Sequence, residues 1–246
     1  MKRGTKARIL VLAMLALGTF SQVWTSSALA QLPSGDEFTF VRIRWTDNRI
    51  RYGYNFVTQA PLWAHDYPQA EENLYTALKA TSSVKISEET KVFTFADEEI
   101  FNYPFIYACE IGYLSLSDEE VTNLREYLLR GGFLIVDDFR LQFEWQNWRH
   151  EIRKVLPEFP LREIKTSHPI FHCFFDLNDG DLYKLTPYLP YPPRYFAITD
   201  ENGRMLVLIN FNTDVGDGWE LPNETPDFST RAFKLGINYL IYSYTH

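Results

Sequence analysis

The chain has 246 residues, 46% of them hydrophobic and 16% aromatic, which is enough apolar material for one sizeable core. Its formal net charge is -8, although the first ten residues are basic. An acidic surface repels nucleic acid and anionic lipid, and we expect neither as a partner.

The first thirty residues have the pattern of an export signal. Basic residues precede an apolar run over residues 9–20, and Ala28 and Ala30 form a small-x-small cleavage site. The run is shorter than the about 20 residues that a membrane-spanning helix needs. We therefore predict a signal peptide, residues 1–30, and a single mature domain, residues 31–246, that is periplasmic or secreted and has no stable membrane span. An uncleaved N-terminal anchor is the alternative.

The next segment predicts a strand followed by a helix. Residues 38–45 alternate as a β-strand and carry Arg42 and Arg44 on one face. A helix is expected to begin near Asp66, because Pro68 suits a first turn and a carboxylate favours a helix N-terminus. Further strands are predicted at residues 84–87, 92–95 and 105–111.

The middle of the chain carries the most consistent local signals. Ser117 and Glu120 form a capping box, and Gly131 supplies a left-handed cap at the end of the same helix. Residues 133–136 are apolar on both faces, as a central strand of a parallel sheet must be. Asp137 and Asp138 follow at the carboxyl end of that strand, where such sheets bind ligands.

The second half predicts a mixture of short elements. A helix is expected over residues 141–156, which Asp137 or Asp138 is expected to cap, and a strand over residues 161–164. Pro169 argues against a central strand in residues 167–175. A β-hairpin pattern covers residues 195–199 and 205–209. A polar loop is expected over residues 210–220. A closing helix is expected over residues 229–244. The resulting fold class is α/β, with three layers, a mainly parallel sheet and a β-hairpin addition.

Four segments together resemble a known bacterial family. They are WAHDYP (63–68), GGFLIVDD (131–138), HPIFH (168–172) and GINYLIY (236–242). In this order they are similar to domain of unknown function 4159, over about residues 38–244. The resemblance implies a flavodoxin-like, three-layer fold of the class I glutamine amidotransferase-like superfamily, and it implies no established activity.

No complete catalytic set is visible, so the catalytic candidates are weak. In amidotransferase-like enzymes a nucleophilic cysteine lies on a tight turn, and Cys109 at a strand end is the residue to consider. No glycine brackets it closely, and a buried thiol is the simpler interpretation. The histidine candidates are His65, His168 and His172. His65 beside Asp66 suits acid–base chemistry, but Asp66 as a helix cap with His65 in a loop is favoured.

Neither a metal nor a cofactor is predicted. The spacing of His168 and His172 matches a pair of metal ligands, but Pro169 makes the required helix doubtful. Residues 210–220 resemble a calcium loop in their polar residues, yet they lack the glycine and the bidentate acid of that template. Cys109 and Cys173 are either a disulfide or two free thiols.

The crevice at the strand ends is the predicted ligand site. Arg42 and Arg44 are expected either to hold an anionic group or to neutralise Asp137 or Asp138. The predicted ligand-binding residues are Arg44, Asp66, Asp137, Asp138, Asp217, Trp219 and Glu220. We expect an exported domain that binds a small-molecule ligand or an envelope protein. An amidotransferase-like hydrolase acting on cell-envelope material and a structural subunit of an envelope complex are the alternatives.

Overall fold

The computed structural model describes residues 37–49, 61–186, 191–223 and 225–246. The predicted signal peptide lies outside these residues. The strands are β1 (Val41–Ile43), β2 (Lys91–Phe93), β3 (Phe105–Cys109), β4 (Phe133–Asp137), β5 (Leu161–Glu163), β6 (Arg194–Thr199) and β7 (Met205–Phe211). The helices are α1 (Gln69–Thr81), α2 (Asp118–Leu129), α3 (Gln142–Val155), α4 (Asp179–Tyr183), α5 (Val215–Glu220) and α6 (Pro226–Thr245).

The described strands form one sheet in the order β2-β1-β3-β4-β7-β6-β5. β1 to β4 pair in parallel, and β7 pairs in parallel with β4. β6 and β5 continue the sheet in antiparallel fashion. The predicted hairpin exists as β6 and β7, but β7 lies inside the parallel sheet, so only β6 and β5 are an addition at one edge.

Helices cover both faces of the sheet, which explains why every residue of β3 and β4 is buried. On one face, Leu74 of α1 and Leu240 of α6 belong to a single apolar core. On the other, Leu128 of α2 and Trp148 of α3 belong to a second core. The prediction of an α/β fold with a mainly parallel sheet is confirmed.

The local signals in the middle of the chain are also confirmed. The Ser117 hydroxyl accepts from the Glu120 backbone N–H, and the Glu120 carboxylate accepts from the Ser117 N–H, so the capping box is complete. Gly131 follows α2 with φ 118°, in the left-handed region that glycine tolerates. None of the described helices is both long and apolar enough to cross a bilayer.

Several predicted boundaries were wrong. β1 is shorter than residues 38–45, and of the predicted strand at 84–87 only an isolated bridge from Ile86 to Phe38 forms. Residues 215–220 are helix α5 and not loop. Neither Asp137 nor Asp138 caps α3. Instead, the Glu144 carboxylate accepts from the backbone N–H groups of Arg140 and Leu141, immediately before that helix.

Candidate functional site

Four carboxylates and one imidazole lie together at the carboxyl edge of the parallel strands. His65 and Asp66 come from the loop before α1, Glu110 follows β3, Asp138 follows β4, and Asp217 lies in α5. We call these five residues the His–carboxylate cluster. Because parallel strands all end at the same edge, residues far apart in sequence meet there.

The imidazole of His65 is the centre of the cluster. Its Nδ1 atom lies 3.2 Å from Asp66 Oδ1, 3.4 Å from Asp138 Oδ2 and 3.9 Å from Glu110 Oε1. Two triads have ligand atoms that all lie within 4.8 Å of one another: His65 with Glu110 and Asp138, and His65 with Asp66 and Asp217. The His65 side chain is 44% exposed, so the cluster opens to solvent on one side.

An unusual backbone conformation aims three of the acids into the cluster. Asp66 has φ 65°, Glu110 has φ 54° and Asp138 has φ 52°. Residues other than glycine seldom adopt positive φ, at a cost of about 1–3 kcal/mol each, and such residues concentrate at functional sites. Glu110 and Asp138 each follow directly after a strand, and Cys109 and Asp137 are paired in the sheet. The two acids therefore leave neighbouring strands at the same level.

Three of the four oxygens of the buried carboxylates Asp66 and Asp138 lack a well-aligned hydrogen-bond donor. The side chains of Asp66 and Asp138 are fully buried. Neither oxygen of Asp66 has a hydrogen-bond partner, and Asp138 Oδ2 has none either. Asp138 Oδ1 accepts from Arg140 at 2.7 Å. A buried charge without donors is costly, so this arrangement favours a positively charged group between the carboxylates.

The pKa values in the cluster are raised, as expected where buried carboxylates lie close together. Interaction with Asp138 raises the pKa of His65 to about 9. Burial raises the pKa of Asp66 to about 8, and burial together with the charge of Asp138 raises the pKa of Glu110 to about 8. The raised pKa values mean that Asp66 and Glu110 keep their protons to a higher pH than usual, and a bound cation would replace those protons.

One protein family matches most of the chain. Its profile, described as Domain of unknown function (DUF4159), covers residues 48–244. The chain belongs to this family. The resemblance inferred from the four motifs is thereby confirmed at the level of the family, whose description carries no activity. A search of curated proteins found no significant match.

In this DUF4159 domain the Asp137 side chain has a structural role. Its carboxylate accepts from the Thr213 hydroxyl at 2.6 Å, the Tyr107 hydroxyl at 3.1 Å and the backbone N–H of Val215 at 2.9 Å. Burial raises the pKa of Asp137 to about 6. Its hydrogen bonds connect β4 to β3 and to the start of α5. The Asp138 side chain, in contrast, belongs to the His–carboxylate cluster.

A buried ion pair holds the loop that carries His65 and Asp66. Arg42 Nε pairs with the Glu71 carboxylate, and both side chains are fully buried. Arg42 Nη1 also donates to the carbonyls of Trp63 at 3.2 Å and His65 at 2.9 Å. The expectation that Arg42 neutralises Asp137 or Asp138 was wrong, because its partner is Glu71 of α1.

Cys109 lies at the end of β3, away from any imidazole among its described contacts. It is 0% exposed, and its sulfur accepts from Arg42 Nη1 at 2.9 Å. Burial raises the pKa of the Cys109 thiol well above its usual value. Both cysteines are free, so the disulfide alternative was wrong. A sealed, protonated thiol is a poor nucleophile.

The other two histidine candidates lie outside the cluster. His168 Nδ1 accepts from the backbone N–H of Ile170 at the start of a short 3₁₀ turn, Pro169–Phe171. His172 contacts Asp176 through Nδ1 and the Thr166 carbonyl through Nε2. Each ring therefore has protein partners of its own, and the two do not form a shared ligand pair in these contacts.

Three predicted ligand-binding residues also lie away from the cluster. Arg44 is exposed at the end of β1. Trp219 is 2% exposed, and its indole donates to the Ala232 carbonyl inside the core, so it is a packing residue and not an aromatic on a loop. Glu220 ends α5, and its carbonyl accepts from Asn73. Asp66, Asp138 and Asp217 are the predicted residues that the structure brings together.

Sequence reasoning missed Glu110 as a member of the site and assigned Asp66 the wrong role. Asp66 was expected to cap α1, but that helix begins at Gln69 and has no side-chain cap. The signal for Glu110 was available, because it follows a buried strand as Asp138 does. The two acids after neighbouring parallel strands should have been considered together.

Proposed function

We propose that this protein is an exported binding domain that takes a positively charged ligand in the His–carboxylate cluster. The observation that carries the proposal is the pair of buried carboxylates, Asp66 and Asp138. Three of their four oxygens lack a well-aligned hydrogen-bond donor, and the cation nearest to those three is the half-exposed His65 imidazole. A ligand cation supplies the missing partner. The half-exposed His65 side chain marks the open side of the site.

The charge balance supports a cation over an anion. Four carboxylates meet one imidazole, and Arg140 donates to Asp138 Oδ1. Arg42, which is fully buried, is already paired with Glu71. A cation can replace the protons that the raised pKa values of Asp66 and Glu110 favour, whereas an anionic ligand would be repelled by each carboxylate that ionises.

The strand order supports the location of the site. The parallel strands run β2-β1-β3-β4-β7, which has the arrangement of the flavodoxin-like order 2-1-3-4-5. In that topology ligands bind where the order reverses, between β1 and β3. His65 and Asp66 lie on the connection from β1 to α1, and Glu110 follows β3. We extend the proposal to a flavodoxin-like fold of the amidotransferase-like superfamily.

The hydrolase alternative has less support. It requires a reactive Cys109 or an acid–histidine pair with a nucleophile, and Cys109 is fully buried against Arg42. The His65 ring contacts carboxylates, and the described contacts bring no serine, threonine or thiol side chain to it. A role as a structural subunit has no specific observation in its favour.

Thermal unfolding in the presence of small cations tests the proposal. The protein, purified as the host processes it and treated with chelator, is heated with methylguanidinium, butylammonium, putrescine or divalent metal salts. A ligand at about 100 times its dissociation constant adds about 2.7 kcal/mol of stability. For a domain of this size that corresponds to a rise of roughly 5–11 °C in Tm.

A matched pair of variants locates the binding. Asp138→Asn removes one cluster charge and should abolish the rise in Tm. Asp176→Asn removes a carboxylate whose side chain is 91% exposed beside His172, and the rise should persist. If no cation stabilises the wild-type protein, or if Asp138→Asn responds like wild type, the proposal fails.

Export is tested separately. N-terminal sequencing of protein recovered from a secretion-competent host should begin at Gln31. Recovery of the intact N-terminus with the membrane fraction would favour the uncleaved anchor.

A further inference from the structure

We infer that the cation is a divalent first-row transition metal ion, held by His65 Nδ1 together with the carboxylates of Glu110, Asp138 and Asp66. This inference rests on the proposed function and names its ligand class. It assigns the imidazole a direct role that binding of an organic cation would not require.

The positions of the ligand atoms carry the inference. Two atoms that each lie about 2.1 Å from one ion are at most about 4.2 Å apart. From His65 Nδ1, the three carboxylate oxygens lie at 3.2, 3.4 and 3.9 Å, all inside that limit. In the triad of His65, Glu110 and Asp138, no two ligand atoms lie more than 4.8 Å apart. Movements of a few tenths of an ångström in side chains would bring this triad around one ion.

A second observation distinguishes this site from an ordinary acidic surface patch. Asp66 is 5% exposed as a residue, and both its oxygens lack hydrogen-bond donors. Asp138 is 0% exposed, and its Oδ2, which lacks a well-aligned donor, lies 3.4 Å from His65 Nδ1. Surface acids are solvated, whereas three of these four buried oxygens have no well-aligned donor from the protein, so a cation would complete their contacts.

The backbone keeps the carboxylates close despite their repulsion. Gly216 lies so near Asp66 that an added Cβ would come 2.1 Å from Asp66 Oδ2. Glu110 and Asp138 are fixed at the ends of paired strands. The site is therefore preorganised, and an ion would not have to gather its ligands from flexible side chains.

The ligand types select the class of metal. One imidazole with several carboxylates suits zinc, manganese, iron, cobalt or nickel. Calcium prefers six to eight oxygens, and magnesium keeps most of its water and rarely uses imidazole. The open side at His65 leaves room for at least one further ligand from solvent.

Metal titration of the chelator-treated protein tests the inference. Calorimetry with ZnCl2, MnCl2, MgCl2 and CaCl2 should give one site per chain that binds zinc or manganese at least about 10-fold more tightly than magnesium or calcium. Elemental analysis of the protein before chelation gives an independent stoichiometry. Co²⁺ substitution adds a visible absorption spectrum that reports its ligands directly.

Paired variants assign the ligands. His65→Gln should weaken zinc binding by at least about 10-fold and change the cobalt spectrum. Because His65 is half exposed, this variant should fold even where Asp138→Asn does not. His172→Gln, in the other histidine–aspartate pair, should bind as wild type. Asp217→Asn, which belongs to the second triad, should weaken binding less than His65→Gln does.

The outcomes separate the inference from the proposed function. If organic cations stabilise the protein through Asp138 while no transition metal binds, the metal assignment is overturned and the proposed function stands. If neither class binds, both fail. Equal affinity of wild type and His65→Gln, or a preference for magnesium or calcium, also overturns the inference.

Discussion

Replacement of Arg42 by methionine would break the buried ion pair beneath the candidate site. The substitution keeps much of the side-chain volume but leaves the Glu71 carboxylate fully buried without its partner. It also removes the donor to the carbonyls of Trp63 and His65. Removal of one member of a buried ion pair costs about 3–5 kcal/mol. We expect this loss in the free energy of unfolding.

The loss is large enough to measure in two ways. For a domain of 150–250 residues, each kcal/mol shifts Tm by about 2–4 °C, so Tm should fall by roughly 6–20 °C. Guanidinium unfolding followed by circular dichroism gives the free energy directly. The midpoint should fall while the dependence on denaturant stays unchanged, because the native fold is retained.

Two companion variants separate charge burial from general damage. The double variant Arg42→Met with Glu71→Leu removes both charges and should recover most of the lost stability, because an apolar pair can replace a buried ion pair at little cost. Arg194→Met breaks a pair with Glu163 in which both side chains are about half exposed, and it should cost about 1 kcal/mol or less. The reasoning is refuted if Arg42→Met also costs under about 1 kcal/mol, or if the double variant is no more stable than the single one.

Three further predictions concern the cluster and its neighbours. Gly216→Ala should weaken cation binding, measured by calorimetry, because the new methyl group would displace the Asp66 carboxylate from 2.1 Å away. In metal-free protein the raised pKa values of Asp66 and Glu110, about 8, and of His65, about 9, mean that the folded state binds more protons than the unfolded chain. The free energy of unfolding should therefore fall as pH rises from about 4 to 9, and a flat profile in denaturant titrations would contradict this sign. Cys109 should react with iodoacetamide only on unfolding, as mass spectrometry of the alkylated protein would show, and rapid labelling of the native state would contradict its burial.

The elements that the sequence predicted well are those whose signals are local. The capping box at Ser117, the glycine after α2 and the apolar run of β4 each specify structure within a few residues. The hairpin of β6 and β7 was recognisable for the same reason. Its place inside the sheet was not, because pairing of β7 with β4 joins segments about 70 residues apart.

The candidate site was only partly predictable. Position at a strand end identified Asp138, and this rule is general for parallel sheets. The environment of Asp66 depends on a positive φ and on the close approach of Gly216, neither of which is visible in a helix-start pattern. Helix α5 was missed because it is six residues long and contains two glycines. In the structure Asp214 caps this helix by accepting from the backbone N–H of Asp217.

The left-handed conformations at Glu110 and Asp138 have a consequence for protein engineering. A redesign that optimised thermostability alone would exchange both for glycine or asparagine, which tolerate that backbone better than other residues do. Such a protein would gain about 1 kcal/mol at each position and lose the charges that surround His65. Resistance to heat and the capacity to hold a cation thus impose opposite demands on the same two residues.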